Sequence, residues 1–440
     1  MKNGKCINNN EKSLISDKIK LIKKYFKYGA IIILLISVLI LRLKFKINLV
    51  ISLIISLIII ILIIAYFILK LYQIIEKAGY KENWNDLYGM KILNIPYFKD
   101  DKIINTFKKD EINYNEEIGD INNGNDYQKN ERNYYDLFIP YSSLKKKDKY
   151  NGIILTIHAG GWIKGKKKDT HFLCIRYAKY GYIMATMNHT LLIKKYKEYN
   201  IFRIIDEITS CIESIKNKLK DEGFDTNKLE LAIGGLSAGA HLSLLYGYSI
   251  KNSPIPIKFV INIVGPISLE PQFWYKVGKN LKPLESIEPK DIEISLKYNK
   301  IIKVFEDETI LLNFMNAFIG NKYSDNEIKE MMINNKINID NEKYKEMLKI
   351  VKHAFPINFI NSDTVPTLCQ YGGKDQLVGV VQYSYLKKLS EEYGNKVELV
   401  YMKDADHSLI SYDTQDGLNA MREMHYQILN FSKSYFTSEN

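Results

Sequence analysis

The chain has 440 residues, of which 62 are Lys or Arg and 50 are Asp or Glu, so its formal net charge is +12. This length allows one large α/β domain in addition to a membrane region. Much of the positive charge lies beside apolar segments, where Lys and Arg meet anionic headgroups, and it does not indicate nucleic-acid binding. The cysteines have no paired spacing and predict neither a disulfide framework nor a compartment: Cys6, Cys174, Cys211 and Cys369.

Two apolar segments follow a basic tail at residues 1–27. The second, Ile47 to Leu69, runs for 23 residues without a charge. A helix of that length spans roughly 34 Å at about 1.5 Å per residue, which is enough to cross a hydrocarbon core of about 30 Å. The first, residues 28–43 with its apolar part ending at Leu41, is marginal for a span. A short basic turn joins the segments, and together they predict a transmembrane hairpin over residues 28–72.

The alternative to a membrane hairpin is a pair of buried helices, but so continuous a run of Ile and Leu offers no polar face to water. If both segments cross, the flanking lysines outnumber the three charges of the turn, and the positive-inside rule places both chain ends in the cytoplasm. If only the second segment crosses, the domain that follows lies outside. We favour the hairpin, and therefore a multi-pass membrane protein whose main domain is cytoplasmic.

Residues 73–126 have no sustained period and are interpreted as a tether with some structure. From residue 127 to residue 437, short apolar runs alternate with helical patterns, which predicts a mostly parallel sheet covered by helices on both faces. The strands predicted from this pattern are Gly152 to Ile157, Ile183 to Asn188, Leu229 to Leu236, Phe259 to Val264, Val365 to Tyr371 and Val397 to Met402. The predicted helices between them are Lys168 to Tyr180, Phe202 to Asp221 and Ala238 to Tyr248.

A long interruption, residues 268–363, separates two of the predicted strands. Loops of that length without structure are uncommon, and helical patterns at Glu327 to Asn334 and Asn341 to His353 predict a small helical insertion. Its aromatic side chains could line a substrate pocket or form the core of the insertion itself: Phe273, Trp274, Tyr275, Phe314 and Phe318.

The most informative motif is G-x-S-x-G at Gly235, Ser237 and Gly239, between a predicted strand and a predicted helix. A serine hydroxyl is a poor nucleophile, so it has to be presented on a sharp turn with small neighbours that leave room for a substrate carbonyl. This context is typical of the nucleophile elbow of a serine hydrolase. Such an enzyme also needs backbone N–H groups in a glycine-rich turn after an earlier strand, and His158-Ala159-Gly160-Gly161-Trp162 follows such a strand.

With this turn the chain resembles the α/β-hydrolase superfamily, in its carboxylesterase branch of hormone-sensitive-lipase-like and feruloyl-esterase-like enzymes. The family's turn is H-G-G-G followed by an aromatic residue, and Ala159 replaces its first glycine. The resemblance implies that the amides of Gly160, Gly161 and Ala238 form an oxyanion hole. It also implies that the insertion caps the site. Arg132 to Pro140 resembles the family's early strand, Y-D-L-Y-x-P, which implies a strand there. A second departure is Asn188-His189-Thr190-Leu191, which lacks the arginine that the family often has there.

The acid and the histidine of such a site follow later strands, in the order Ser, Asp, His. Gly372 to Val378 resembles the family's G-x-x-D-x-x-V loop and implies Asp375 as the acid. His407, in the loop after Val397 to Met402, matches the family's terminal histidine. Asp404 and Asp406 are rival acids, and we rank them lower because a sequence neighbour on a short loop seldom reaches the far ring nitrogen.

Ser237, His407 and Asp375 therefore predict a serine hydrolase that cleaves carboxylic esters through an acyl-enzyme. Other enzymes on the same triad are a serine peptidase, a formamidase or an acyltransferase, and a non-enzyme alternative is a catalytically silent binding module. We expect no cofactor, no metal and no nucleic-acid partner, and the sequence leaves the oligomeric state open. His158 is interpreted as a scaffold of its turn, His241 as a packing residue, and Trp162 as either pocket lining or packing.

Overall fold

The computed structural model describes residues 84–97, 132–147, 150–192, 199–270, 308–375, 377–409 and 415–436, with scattered helical positions between Val50 and Tyr66. The predicted tail, nearly all of the predicted hairpin, most of the tether and residues 271–307 of the insertion lie outside the described residues. Within the described ranges, no helix is long and apolar enough to cross a membrane. The chain divides into two compact units, and the sheet belongs to the unit formed by residues 83–409 and 422–440.

One large sheet organises this unit. Its strands in chain order are β1 (Gly89–Pro96), β2 (Tyr134–Pro140), β3 (Ile153–Ile157), β4 (Ile183–Met187), β5 (Leu231–Leu236), β6 (Ile257–Ile263), β9 (Thr367–Gly372) and β10 (Val397–Met402). They lie in the order β1-β2-β4-β3-β5-β6-β9-β10. β2 pairs antiparallel with β1 and β4, and every other neighbouring pair is parallel. The mostly parallel sheet predicted from the alternating pattern is confirmed.

Three inner strands are buried along their whole length. Every residue of β3, β4 and β9 is buried, which requires cover on both faces, because successive side chains of a strand point to opposite sides. The largely apolar sequences of β3 and β4 fit this environment. The core of the unit therefore lies along the middle of the sheet, and the loops that follow these strands are held on a rigid support.

Strand β1 lies upstream of the domain boundary predicted near residue 127, in the segment interpreted as a tether. Its half-exposed edge position gives a weak sequence signal. Buried polar contacts hold it: the Asp136 carboxylate accepts hydrogen bonds from the Asn94 amide, the Lys167 ammonium and the His171 ring. Burial raises the pKa of Asp136, but the bonds from His171 and Lys167 outweigh it and leave the pKa below its usual value.

Most of the α-helices whose bounds the structure describes belong to the sheet domain, and three form part of the insertion. They are α1 (Tyr141–Lys145), α2 (His171–Lys179), α3 (Ile201–Asp221), α4 (Ala238–Ser249), α5 (Thr309–Phe318), α6 (Asp325–Glu330), α7 (Glu342–Val351), α8 (Val381–Glu392) and α9 (Gln415–Tyr435). The three helices predicted before the insertion are present as α2, α3 and α4. Helix α4 contacts β3, β5 and β6, so it lies over the centre of the sheet.

The described part of the insertion is helical, as predicted. Helices α5, α6 and α7 carry it, with a short hairpin of β7 (Met332–Ile333) and β8 (Lys336–Ile337). The helix predicted over Glu327 to Asn334 ends at Glu330, since Asn334 and Asn335 both have positive φ and form the turn of the hairpin.

Candidate active site

Ser237 occupies a sharp turn between β5 and α4. Its φ of 53° and ψ of −116° are unusual for a residue with a side chain. A Cβ on Gly235 would lie 2.6 Å from the Ile157 carbonyl oxygen, and one on Gly239 would lie 2.2 Å from the same oxygen. Both glycines of the motif are therefore required by the close approach of β3 to the turn. The strand, turn and helix context predicted for Ser237 is present.

The glycine-rich turn follows β3, the neighbour of β5 in the sheet, where Ile157 is paired with Gly235. Gly160, Gly161 and Trp162 all have positive φ, and the Gly160 carbonyl accepts hydrogen bonds from the amides of Ile163 and Lys164. A Cβ on Gly160 would lie 2.0 Å from the Lys164 carbonyl oxygen, so no other residue fits there. The backbone thus curls back at the carboxyl end of β3, beside Ser237.

The predicted oxyanion donors share one property. Among the residues described, the amides of Gly160, Gly161 and Ala238 have no hydrogen-bond partner. Gly160 and Gly161 lie on the glycine-rich turn and Ala238 lies directly after Ser237, so N–H groups on two neighbouring turns are available to a ligand oxygen. Ala238 is also the first residue of α4, where the helix dipole favours negative charge.

Asp375 and His407 are in direct contact, as the family resemblance implied. The Nδ1–H group of His407 donates to Asp375 Oδ2 at 2.8 Å, and Asp375 Oδ1 accepts from the amides of Leu377 and Val378 at 2.7 and 2.9 Å. The Asp375 side chain is fully buried, whereas 19% of the His407 side chain is exposed. The carboxylate is held by two backbone amides and by the His407 ring. It fixes the orientation of the ring through Nδ1, and Nε2 takes no part in this contact.

Two glycines allow the acid loop and the histidine loop to meet. A Cβ on Gly372 would lie 2.3 Å from the Ala405 carbonyl oxygen, and one on Gly373 would lie 2.3 Å from the Lys403 carbonyl oxygen. The loops are joined by hydrogen bonds from the Gly373 amide to Met402 and from the Lys374 amide to Ala405. The adjacent strands β9 and β10 therefore deliver both side chains to one place.

The rival acids have other partners. Asp404 forms an ion pair with Lys374 at 2.6 Å. Asp406 Oδ1 accepts hydrogen bonds from the amide and hydroxyl of Ser408. Neither carboxylate bonds to the His407 ring in the described structure, so geometry favours Asp375.

Ser237 and His407 both follow strands at the carboxyl edge of the sheet, but no hydrogen bond joins their side chains in the part of the chain that the structure describes. The strands between them are joined at this edge: the Ser237 amide donates to the Ile263 carbonyl of β6, the Val264 amide donates to the Gln370 carbonyl of β9, and Gly372 of β9 is paired with Met402 of β10. Without substrate, a bond of this kind is commonly long and tightens when substrate binds.

His158 supports its turn, as interpreted from the sequence. Its Nδ1–H group donates to the Ala159 carbonyl at 2.9 Å, and its ring stacks on that of His189 with centroids 4.3 Å apart. Burial lowers the pKa of His158 to about 4, so the ring is neutral at physiological pH. Gly165 must be glycine, since a Cβ there would lie 2.4 Å from His158 Nδ1.

Thr190, in the segment that lacks the family's arginine, is held by hydrogen bonds. The amide and the hydroxyl of Thr190 both donate to the buried Glu207 carboxylate. Arg203, one turn earlier on α3, donates to the same carboxylate at 3.1 Å and supplies the positive charge. The neighbouring helix α3 thus supplies both the acceptor and a positive charge at this departure from the family pattern.

Sequence reasoning missed the connections of His241. The residue is fully buried, and its ring is hydrogen-bonded to Trp162 of the glycine-rich turn and to Ala354 of the insertion. Trp162 is buried against Phe314 and Phe318 of α5, so packing is its observed role. The one available signal was a polar ring on an otherwise apolar helix, one turn after the elbow serine.

A mostly parallel sheet with a serine elbow, a glycine-rich turn and an aspartate–histidine pair at its carboxyl edge defines an α/β-hydrolase. The BD-FAE family model, which describes esterases of this superfamily, matches residues 136–389, more than half of the chain. The chain belongs to the BD-FAE family and is a carboxylic ester hydrolase.

Several solved structures that are similar to the chain are structures of esterases. A truncated carbohydrate esterase from gut microbiota is 16% identical, covering 81% of this chain and 100% of that one, with a TM-score of 0.49. Esterase B from Lactobacillus rhamnosis is 14% identical, with 84% and 94% covered and a TM-score of 0.48. An esterase from Pyrobaculum calidifontis is 14% identical, with 68% and 80% covered and a TM-score of 0.44. The comparison with curated proteins gives no match. The family assignment rests on the sequence match.

Proposed function

We propose that the protein is a membrane-anchored serine esterase that cleaves carboxylic esters through an acyl-enzyme on Ser237. The observation that carries this proposal is the elbow geometry of Ser237 beside three unpaired backbone amides. A strained turn of this kind is retained where the surrounding structure holds it in place, and such sites are commonly functional. The hydrogen bond between the buried Asp375 and His407 supports the same assignment.

In the proposed reaction, Ser237 Oγ attacks the carbonyl carbon of the ester while His407 Nε2 takes the hydroxyl proton. The negative charge that develops on the carbonyl oxygen is met by the amides of Gly160, Gly161 and Ala238. Collapse of the tetrahedral intermediate breaks the bond to the alcohol, which leaves with the proton from His407. Water, activated by the same nitrogen, then attacks the acyl-enzyme, and the acid is released.

Asp375 accepts the Nδ1–H bond of His407, so the ring presents Nε2 to the serine and its imidazolium form is stabilised next to a carboxylate. The amides act chiefly in the transition state, because the negative charge on the oxygen develops only as the tetrahedral intermediate forms. Loss of one such donor typically costs about 3 kcal/mol of transition-state stabilisation.

The test is covalent labelling with a fluorophosphonate probe. We expect the full chain to be labelled and to hydrolyse p-nitrophenyl esters with a burst of one p-nitrophenol per site, as the acyl-enzyme forms, while Ser237→Ala shows neither property. Ser249→Ala, at the far end of α4, is the matched control and keeps both. A folded protein that is not labelled would favour a binding module instead.

Ester and amide substrates separate the enzyme classes that share this triad. We expect p-nitrophenyl esters of varied chain length to be hydrolysed far faster than aminoacyl amides. Rapid turnover of the amides with inert esters would identify a peptidase and would contradict the esterase assignment.

The membrane component of the proposal is supported by the uncharged run from Ile47 to Leu69. Several described side chains of this run are helical and at least 50% exposed: Val50, Ile51, Ile54, Ile58, Ile61 and Tyr66. Exposed large apolar side chains repeated along one segment are unfavourable in water and are typical of contact with a lipid or protein partner.

The orientation is tested with an impermeant thiol reagent on intact cells. Leu87, which is 82% exposed, is replaced by Cys in a chain that also carries Cys6→Ser, since the described cysteines are all buried. For a hairpin with the esterase domain in the cytoplasm, we expect modification only after the cells are permeabilised. Modification of intact cells would contradict this orientation.

A further inference from the structure

His241 connects three parts of the protein that meet beside Ser237. It lies on α4, four residues after Ser237, and its side chain is fully buried. Its Nδ1 atom lies 3.3 Å from the Trp162 indole nitrogen, and its Nε2 atom lies 2.9 Å from the Ala354 carbonyl oxygen. The ring thus joins the helix of the elbow, the glycine-rich turn and the insertion.

The chemistry of the two partners fixes the protonation of this ring. An indole N–H group can only donate, so Nδ1 must be the acceptor, and a carbonyl oxygen can only accept, so Nε2 must carry the proton. A second proton on Nδ1 would face the Trp162 N–H group. Burial lowers the pKa of His241 to about 3. The ring therefore holds one neutral form and one orientation throughout the working pH range.

Trp162 links His241 to the glycine-rich turn, because its indole is bonded to His241 and its backbone belongs to the turn. It directly follows Gly161, has a positive φ of 62°, and its carbonyl accepts a bond from the Leu192 amide. Its indole packs edge-on against His241 and Phe318, with centroids 5.2 and 4.9 Å away. Since the tryptophan backbone continues that of the donor glycines, a shift of the indole would change the direction of the Gly160 and Gly161 amides.

We propose that His241 is a positioning residue, which holds the Gly160 and Gly161 amides in place relative to Ser237 by tying Trp162 to α4 and to the insertion. The inference rests on the proposed function, in which these amides stabilise the oxyanion. It gives the insertion a role in catalysis, because Ala354 anchors the ring on the side opposite Trp162.

Loss of the His241 contacts should lower kcat and leave KM nearly unchanged. The oxyanion forms in the transition state, so misdirected amides weaken transition-state binding and leave substrate binding nearly unchanged. A misplacement of about 1 Å in a catalytic group can lower the rate about 100-fold. A residue that only fills space would instead affect thermal stability, or KM through the pocket.

His241→Phe is the first variant, since phenylalanine keeps an aromatic ring among Trp162 and Phe318 but removes both hydrogen bonds. We expect kcat per labelled site to fall about 10- to 100-fold, with KM within about threefold of the wild-type value. Counting sites by fluorophosphonate labelling removes the contribution of unfolded protein. His353→Phe, one residue before Ala354 and half-buried, is the matched control and should leave kcat unchanged.

Two amide variants separate the two hydrogen bonds. His241→Asn can place an acceptor oxygen near the position of Nδ1 and keep the bond from Trp162, whereas His241→Gln can place an N–H group near the position of Nε2 and keep only the bond to Ala354. We expect the asparagine variant to recover most of kcat and the glutamine variant to recover little. Equal recovery by both variants would contradict transmission through Trp162.

A double-mutant cycle with Trp162→Phe completes the test. If the two residues act through one hydrogen bond, the double variant should lose no more of kcat than His241→Phe alone. Additive losses, an unchanged kcat in His241→Phe, or an effect confined to KM would overturn the inference. These outcomes leave the proposed function intact as long as Ser237→Ala is inactive in the same assay, whereas activity in Ser237→Ala would overturn the proposed function itself.

Discussion

At the scale of single residues, the site depends on where one carboxylate lies. The sequence offers three candidate acids for His407, namely Asp375, Asp404 and Asp406. Only Asp375 is fully buried and bonded to the His407 ring. The other two are occupied by Lys374 and by Ser408. Burial matters here because a carboxylate shielded from water orients and stabilises an imidazolium more strongly than an exposed one.

The variant Asp375→Asn tests this assignment. The amide oxygen of the new side chain can still accept the bonds from Leu377 and Val378, so the loop should fold, but this side chain favours the wrong tautomer of His407. We expect kcat for an ester substrate to fall about 10⁴-fold, the size of effect found for this change in a serine protease triad. Asp404→Asn and Asp406→Asn are the controls and should stay within a few-fold of wild type; a large loss in either would point to a different acid.

At the scale of elements, the acid and histidine loops meet because β9 ends at a glycine, Gly372, and a second glycine, Gly373, follows it. Gly372 and Gly373 contact carbonyl oxygens of the other loop where no Cβ would fit. Parallel neighbours in a sheet bring their carboxyl ends to the same edge, but side chains on the connecting loops normally hold those loops apart. The Gly-Gly sequence removes this obstacle and lets Asp375 reach His407.

Gly372→Ala should therefore damage catalysis through the loops. The new Cβ would lie 2.3 Å from the Ala405 carbonyl oxygen, so the two loops must separate by several tenths of an ångström or more. We expect kcat to fall at least about 100-fold, as for other small misplacements of catalytic groups. Gly394→Ala is the control: its φ is +71° but nothing lies within 4 Å of the added Cβ, so we expect a stability cost of about 1 kcal/mol and normal kcat. Equal kcat in the two variants would contradict the role of the glycines.

At the scale of the whole molecule, buried neutral histidines make stability depend on pH. Burial lowers the pKa of His158 to about 4 and that of His241 to about 3. It also lowers the pKa values of His189 and His425 well below the usual value. Between a pH of about 6.5 and these lowered values, the unfolded chain binds protons that the folded chain does not bind.

The free energy of unfolding should accordingly fall as the pH drops below about 6.5, by up to about 1.4 kcal/mol per pH unit for each such histidine. The measurement is denaturant unfolding of the full chain at a series of pH values from about 7.5 to about 4.5, the range in which an unfolded histidine takes up its proton. His425→Gln, which removes one titrating group away from the site, should reduce the slope by about one proton. A flat profile in this range would contradict the buried, neutral state of the rings.

Much of this protein could be predicted from local sequence. Apolar runs of strand length, helical periods and the G-x-S-x-G motif reflect free energies that act within a few residues. They located Ser237, the glycine-rich turn and the strands of the sheet other than β1 and β2; the half-exposed edge position of β1 gives little apolar signal. The family resemblance added β2, Asp375, His407 and the oxyanion role of the three amides. The membrane hairpin stays a prediction, since nearly all of it lies outside the described residues.

Local patterns along the chain therefore specify the order of elements and the identity of the chemical groups. Three-dimensional packing selects which of three aspartates bonds to His407, and it brings His241 into contact with Trp162 and Ala354, which are 79 and 113 residues away in the chain. Such contacts depend on strand order and on the space that glycines leave between loops. Neither quantity is encoded in any single stretch of the chain.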